Sequence, residues 1–76
     1  KGGIPVAKES EIIRATLTRN NLTHVWLINR LNEAGVRTDK TEFSSVLNGT
    51  RIGPKADTIL STALSILTKY EEAMAL

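Results

Sequence analysis

The sequence predicts an all-α domain, a compact bundle of four, or at most five, helices. Three observations carry this. Apolar residues recur at i, i+3 and i+4 along most of the chain, which is the spacing of one helix face. Asn20-Asn21, Gly35, Gly49 and Gly53-Pro54 cut that pattern into four segments with the residues expected at helix ends. No stretch reads convincingly as a strand.

Residues 1–9 are expected to form a flexible arm, because KGGIPVA holds two glycines, a proline and no periodicity. A chain that starts without Met suggests a processed or truncated N-terminus. The single domain then spans residues 10–76. Its first helix is predicted from Ser10, a good cap, to about Asn20, with Glu11 in the first turn and Ile13 and Leu17 as an i, i+4 pair. Ile12 and Thr16 widen that face, and Arg14 and Arg19 should point outward. Asn20-Asn21 is the stop, since Asn tolerates left-handed geometry.

The second helix should begin after Thr23 as N-cap and run to about Ala34, with Gly35 just beyond it. Leu27, Leu31 and Ala34 make its stripe. Leu22 before the cap is placed to staple onto Leu27. Val25, Trp26 and Ile28 extend the apolar surface past half the circumference, so this helix must meet neighbours on several sides. After a short linker (Val36, Arg37, Thr38), Asp39 caps a third helix, and Glu42 three residues on completes an acidic capping box. Phe43, Val46 and Leu47 share one face, and Gly49 ends it. Thr50 to Gly53 is a loop. Gly53 and Pro54 stand at Ncap and N1 of a final helix reaching about Ala73. Its inner stripe is Ile59, Ala63, Leu64 and Leu67, flanked by Ile66 and Tyr70.

Seventy-six residues suffice for one compact domain, and 41% hydrophobic with 24% charged is an ordinary globular composition. The chain has no cysteine, so neither a disulfide framework nor a thiolate metal site is possible. No apolar run approaches the roughly 20 residues of a membrane span. A formal charge of +2 permits nucleic-acid binding without demanding it. No nucleophile–base pair, phosphate-cradling glycine loop or carboxylate dyad points to catalysis, so no enzyme and no cofactor are expected. His24 is the single histidine, too little for a metal site.

The outer face of the third helix carries the functional signal. Lys40, Thr41, Ser44, Ser45 and Asn48 are mostly short hydrogen-bonding side chains, with one cation at the first helical position. A lysine there opposes the helix dipole, which suits an anionic partner at that end. Without further context, the serines read equally well as solvated surface.

The context comes from a resemblance. Leu22-Thr23-His24 resembles the Leu-Thr-Gln start of the first motif helix in Cro/CI-type (XRE-like) helix-turn-helix domains. Leu27 and Leu31 fall on that helix's core leucines, and Gly35-Val36 looks like its turn. Phe43 and Val46-Leu47-Asn48-Gly49 resemble the end of the recognition helix; Arg51 follows, and Pro54 to Leu67 is similar to the Pro-led fourth helix. The likeness spans roughly residues 10–67. Ile28 departs from it, standing where the family usually has a small residue, and so do the extra residues between Leu31 and Phe43. Such lengthened turns are similar to those of repressors of temperate phages of Gram-positive bacteria.

The resemblance implies a bacterial cytoplasmic transcriptional repressor bound to double-stranded DNA, its recognition helix (about residues 39–48) in the major groove. Lys40, Thr41, Ser44, Ser45 and Asn48 are then the base readers. Thr23, His24, Arg37, Thr38, Arg51 and Lys55 are the phosphate contacts. The arm, through Lys1 and Lys8, would follow a groove. A homodimer, or an oligomerisation domain in a longer chain, would match paired half-sites. Ile59, Ile66, Tyr70, Ala73 and Met74 are too many to cover so small a core, which makes the outer part of the last helix the expected contact; Glu71-Glu72 is expected to be a solvated turn. The competing reading is a protein-interaction module, antitoxin-like or regulator-binding, using Val25, Trp26, Ile66, Tyr70 and Met74. Trp26 is otherwise expected to lie partly buried against the first helix.

Overall fold

The structure, a computed structural model, describes the backbone of residues 6–75 and the side chains of residues 9–75. Four helices account for the described fold: α1 (Val6–Arg19), α2 (His24–Glu33), α3 (Lys40–Leu47) and α4 (Pro54–Met74). The all-α expectation holds, with four helices and no strand among the described residues.

The first helix corrects the expected boundary. It starts at Val6 rather than Ser10, so residues 6–9 belong to the helix and not to an arm. Val6-Ala7-Lys8-Glu9 contains no helix breaker, and Ser10 is used inside the helix instead of at its cap. Ser10 is buried, and its hydroxyl finds no hydrogen-bond partner. The expected arm contacts of Lys1, and of the Lys8 side chain, lie outside the described residues.

All three interhelical turns open with the same closure. After α1 the Asn21 N–H donates to the Thr18 carbonyl and the Leu22 N–H to Leu17. After α2, Gly35 donates to Asn32 and Val36 to Leu31; after α3, Gly49 donates to Val46 and Thr50 to Ser45. Each is a Schellman closure, which needs a left-handed residue just past the cap. Asn21, Gly35 and Gly49 supply it with φ of 58°, 93° and 79°. The lengthened turn between α2 and α3 is then pinned by the Asn32 side chain, whose oxygen accepts from the Thr38 N–H at 2.9 Å.

One core joins all four helices. Ile13 and Leu17 from α1 meet Leu27, Ile28 and Leu31 from α2, Phe43, Val46 and Leu47 from α3, and Ala56, Ile59, Leu60, Ala63 and Leu67 from α4. Ile28 is fully accommodated in this core. Trp26, expected partly buried against α1, is partly buried with its ring edge-on to Tyr70 of α4 at 5.3 Å, and the Arg30 guanidinium lies 5.6 Å from its centroid.

The end of α4 also differs from expectation. Ile59 is buried, Ile66 packs against the core and Tyr70 is half-buried, leaving Met74 as the exposed large apolar group of this helix. Glu71 is no solvated turn residue. It receives two hydrogen bonds from Arg19 (2.9 and 2.8 Å) and one from Asn20 (2.7 Å), tying α4 to the end of α1. No helix among the described residues is long and apolar enough to cross a membrane.

Candidate nucleic-acid interface

The geometry of α3 follows from its two ends. Thr23 and Asp39 cap α2 and α3, accepting from the Trp26 and Glu42 amides at 3.0 and 2.8 Å. Phe43, Val46 and Leu47 are sunk in the core. At about 100° per residue, Thr41, Ser44 and Asn48 must then stand on the opposite side, with Lys40 at the head of the ridge. All four are exposed, whereas Ser45 is half-buried.

Two groups of charged side chains flank the ridge. On one side are Arg14 and His24. Arg14 reaches across from α1 and donates to Asn48 Oδ1 at 2.6 Å. His24, first residue of α2, sets its ring edge-on to Phe43 at 5.5 Å. Burial, then the charges of Arg14 and Lys40, hold its pKa below the ordinary 6.5. Arg14 was not among the residues picked out by sequence reasoning beyond its outward direction. No local spacing relates it to a residue 34 positions away.

On the other side is Glu42. The capping-box expectation fails for its side chain: the carboxylate accepts from the Thr38 hydroxyl at 2.8 Å and pairs with Lys55 (3.2 Å) and Arg51 (3.7 Å). Two cations from later in the chain outcompete a single backbone amide for an ionised acceptor. The Thr38 hydrogen bond, followed by the lysine and arginine charges, lowers the Glu42 pKa against the effect of burial. Glu42, Thr38 and Lys55 line an open polar cleft of about 420 Å³ together with Asn32, Arg37 and Asp39.

The expected phosphate contacts therefore divide. Thr23 accepts through its oxygen, leaving its hydroxyl proton free to donate. Arg51 and Lys55 remain largely exposed while paired to Glu42. Arg37 is exposed on the rim of the cleft. Thr38 is a correction: its hydroxyl and its amide both donate within the chain, so it has no donor left for a phosphate. Among the expected base readers, Asn48 has its carbonyl oxygen engaged by Arg14, and only its amide N–H groups remain to donate. The alternative apolar surface is reduced, since Trp26 is engaged by Tyr70 and Arg30; Val25 alone of that pair is exposed.

No family model, no curated protein and no solved structure matches this chain.

Proposed function

We propose that the chain is a sequence-specific binder of double-stranded DNA, a repressor of the phage or prophage type acting in the bacterial cytoplasm. The carrying observation is the exposed ridge of α3, with Lys40, Thr41, Ser44 and Asn48 outward and cations on both flanks. A helix fits the major groove, about 12 Å wide, and the flanking Arg14, Arg51 and Lys55 then lie toward the two phosphate backbones. Lys40 donates to guanine O6 and N7; Thr41 and Ser44 donate or accept; Asn48 donates. Reading paired half-sites calls for a second copy or an oligomerisation segment, and Ala73 and Met74 are the expected contact residues that remain exposed for it.

Selection of bound duplexes from a random pool tests this reading. One enriched motif is expected, and failure to enrich any would overturn it in favour of a protein-interaction module. Lys40→Ala and Ser44→Ala should weaken binding to the selected site while leaving the helical circular dichroism intact. Arg51→Ala should weaken all sequences alike and lower the salt slope by about one unit.

A further inference from the structure

We infer that Arg14 is a positioning residue that sets which base Asn48 reads, admitting guanine and excluding adenine. This rests on the DNA-binding reading of α3. Arg14 stands on α1 and Asn48 caps the end of α3, 34 positions away, yet the guanidinium donates to Asn48 Oδ1 at 2.6 Å. Other cations of the chain are spent on carboxylates: Arg19 on Glu71, Arg30 on Glu33, and Arg51 and Lys55 on Glu42. Arg14 goes instead to a neutral amide on the exposed ridge. A side-chain amide has two unlike ends, an oxygen that accepts and an NH2 group that donates, whereas a guanidinium only donates. The oxygen is therefore the end that faces Arg14, and the NH2 group is turned away from it. The backbone beneath is held as well, the Asn48 N–H donating to the Ser44 carbonyl at 2.9 Å. Arg14 thus fixes which end of the amide is left to present.

The major-groove edges of the bases differ in what they ask of such a group. Adenine shows an acceptor at N7 and a donor at N6, and a free asparagine answers both, donating with its nitrogen and accepting with its oxygen. Guanine shows acceptors at both N7 and O6. An asparagine whose oxygen is held by an arginine keeps the donors that guanine wants and loses the acceptor that adenine needs. The second lone pair of the oxygen does not restore the match, because the guanidinium beside it repels the positively polarised N6 amino group. Cytosine, which shows a donor at N4, is rejected on the same ground. The residue that discriminates is then on α1, outside the helix that touches the bases.

The test is selection of bound duplexes from a random pool with wild type, Asn48→Ala and Arg14→Met in parallel, each variant first checked for native helical circular dichroism. Asn48→Ala marks the position that Asn48 reads, as the one whose preference it erases. The expected wild-type base there is guanine. Arg14→Met frees the amide to turn, so adenine should gain on guanine at that position by on the order of tenfold, with the rest of the motif kept. Arg14→Ala, which places the best helix former at this exposed site, carries the same expectation and replaces Arg14→Met should that variant misfold. An Arg14 that only braces the fold or meets phosphate would leave the base unchanged while every duplex binds more weakly, and that result would overturn the inference. Adenine at that position in the wild-type motif, or no position erased by Asn48→Ala, would overturn it too and leave DNA binding standing. Failure of the wild-type chain to enrich any motif would remove the DNA-binding reading itself, and the inference with it.

Discussion

Single side chains set several properties of this molecule that no helix-level description contains. Ser10 is the simplest case: a buried hydroxyl without a partner inside α1. Leaving such a group unsatisfied costs roughly 1–3 kcal/mol, and alanine is also the better helix former. Ser10→Ala should therefore stabilise the domain by about 1 kcal/mol, read as a rise in Tm of roughly 4–8 °C. Acid stability divides between three other residues. The depressed pKa of His24 means that the unfolded chain takes up its proton first, so stability should fall as pH drops below 6.5. Glu42 and Glu71 are likewise depressed, by hydrogen bonds from Thr38 and Asn20 first, and their contributions are lost below about pH 4.5. Thermal melts from pH 8 to 3 should show two declining stages; His24→Gln should remove the upper one, and Glu71→Gln should diminish the lower. The caps Thr23 and Asp39 could be read from the sequence because their partners lie three residues away. The pairings of Glu42 with Lys55 and of Arg14 with Asn48 could not, because those partners are brought close only by the packing of α4 and α3.

At the scale of elements, the three Schellman closures explain why the helix ends were so readable. A left-handed backbone is a local demand, met by Asn21, Gly35 and Gly49 wherever the rest of the chain goes. Gly35 isolates the effect, since a Cβ added there would meet nothing within 4 Å. Gly35→Ala should cost about 1–2 kcal/mol from backbone strain alone, measurable by urea denaturation with an unchanged m-value. Starts are less legible than stops. A serine followed by an acidic residue resembles a cap at Ser10, yet the preceding residues are equally compatible with a helix. The chain simply begins its first turn earlier. The outer surface of α4 misled for a related reason: apolar residues look surplus until Trp26 is known to need Tyr70 as a neighbour.

The whole molecule depends on one small aliphatic core in which Phe43 is the one fully buried aromatic. A domain of this length has roughly 4–11 kcal/mol of stability in total, at 0.05–0.15 per residue. Phe43→Ala removes the ring that packs α3 against its neighbours and His24, at a cost of about 3–5 kcal/mol. Loss of most of the cooperative melt is expected by calorimetry, and with it any binding that depends on α3. Most core positions were legible from periodicity, but Ala56 and Leu60 are buried without having been picked out, and Ile12 and Ala34, expected on inner faces, are exposed. The cationic flanks of α3 were legible only in part: Arg51 and Lys55 follow it closely in sequence, whereas Arg14 belongs to a different helix.

The closure after α3 has a consequence for chemical ageing. An Asn-Gly pair such as Asn48-Gly49 is prone to spontaneous deamidation, in which the glycine nitrogen attacks the asparagine side-chain carbonyl and expels ammonia to form a cyclic imide, which water then opens. Here the Gly49 N–H is committed to the Val46 carbonyl at 3.2 Å, and the Asn48 carbonyl oxygen to Arg14 at 2.6 Å. Both reacting groups are held in a shape other than the imide ring, so the folded chain protects its own weak bond. Mass spectrometry after incubation should find aspartate and isoaspartate at position 48 accumulating faster in denatured than in native protein. Each conversion would put a negative charge on the ridge beside Lys40 and Ser44, where it would repel phosphate. Exposure to unfolding conditions would thus leave a lasting mark on the face proposed to meet DNA, even after the chain refolds.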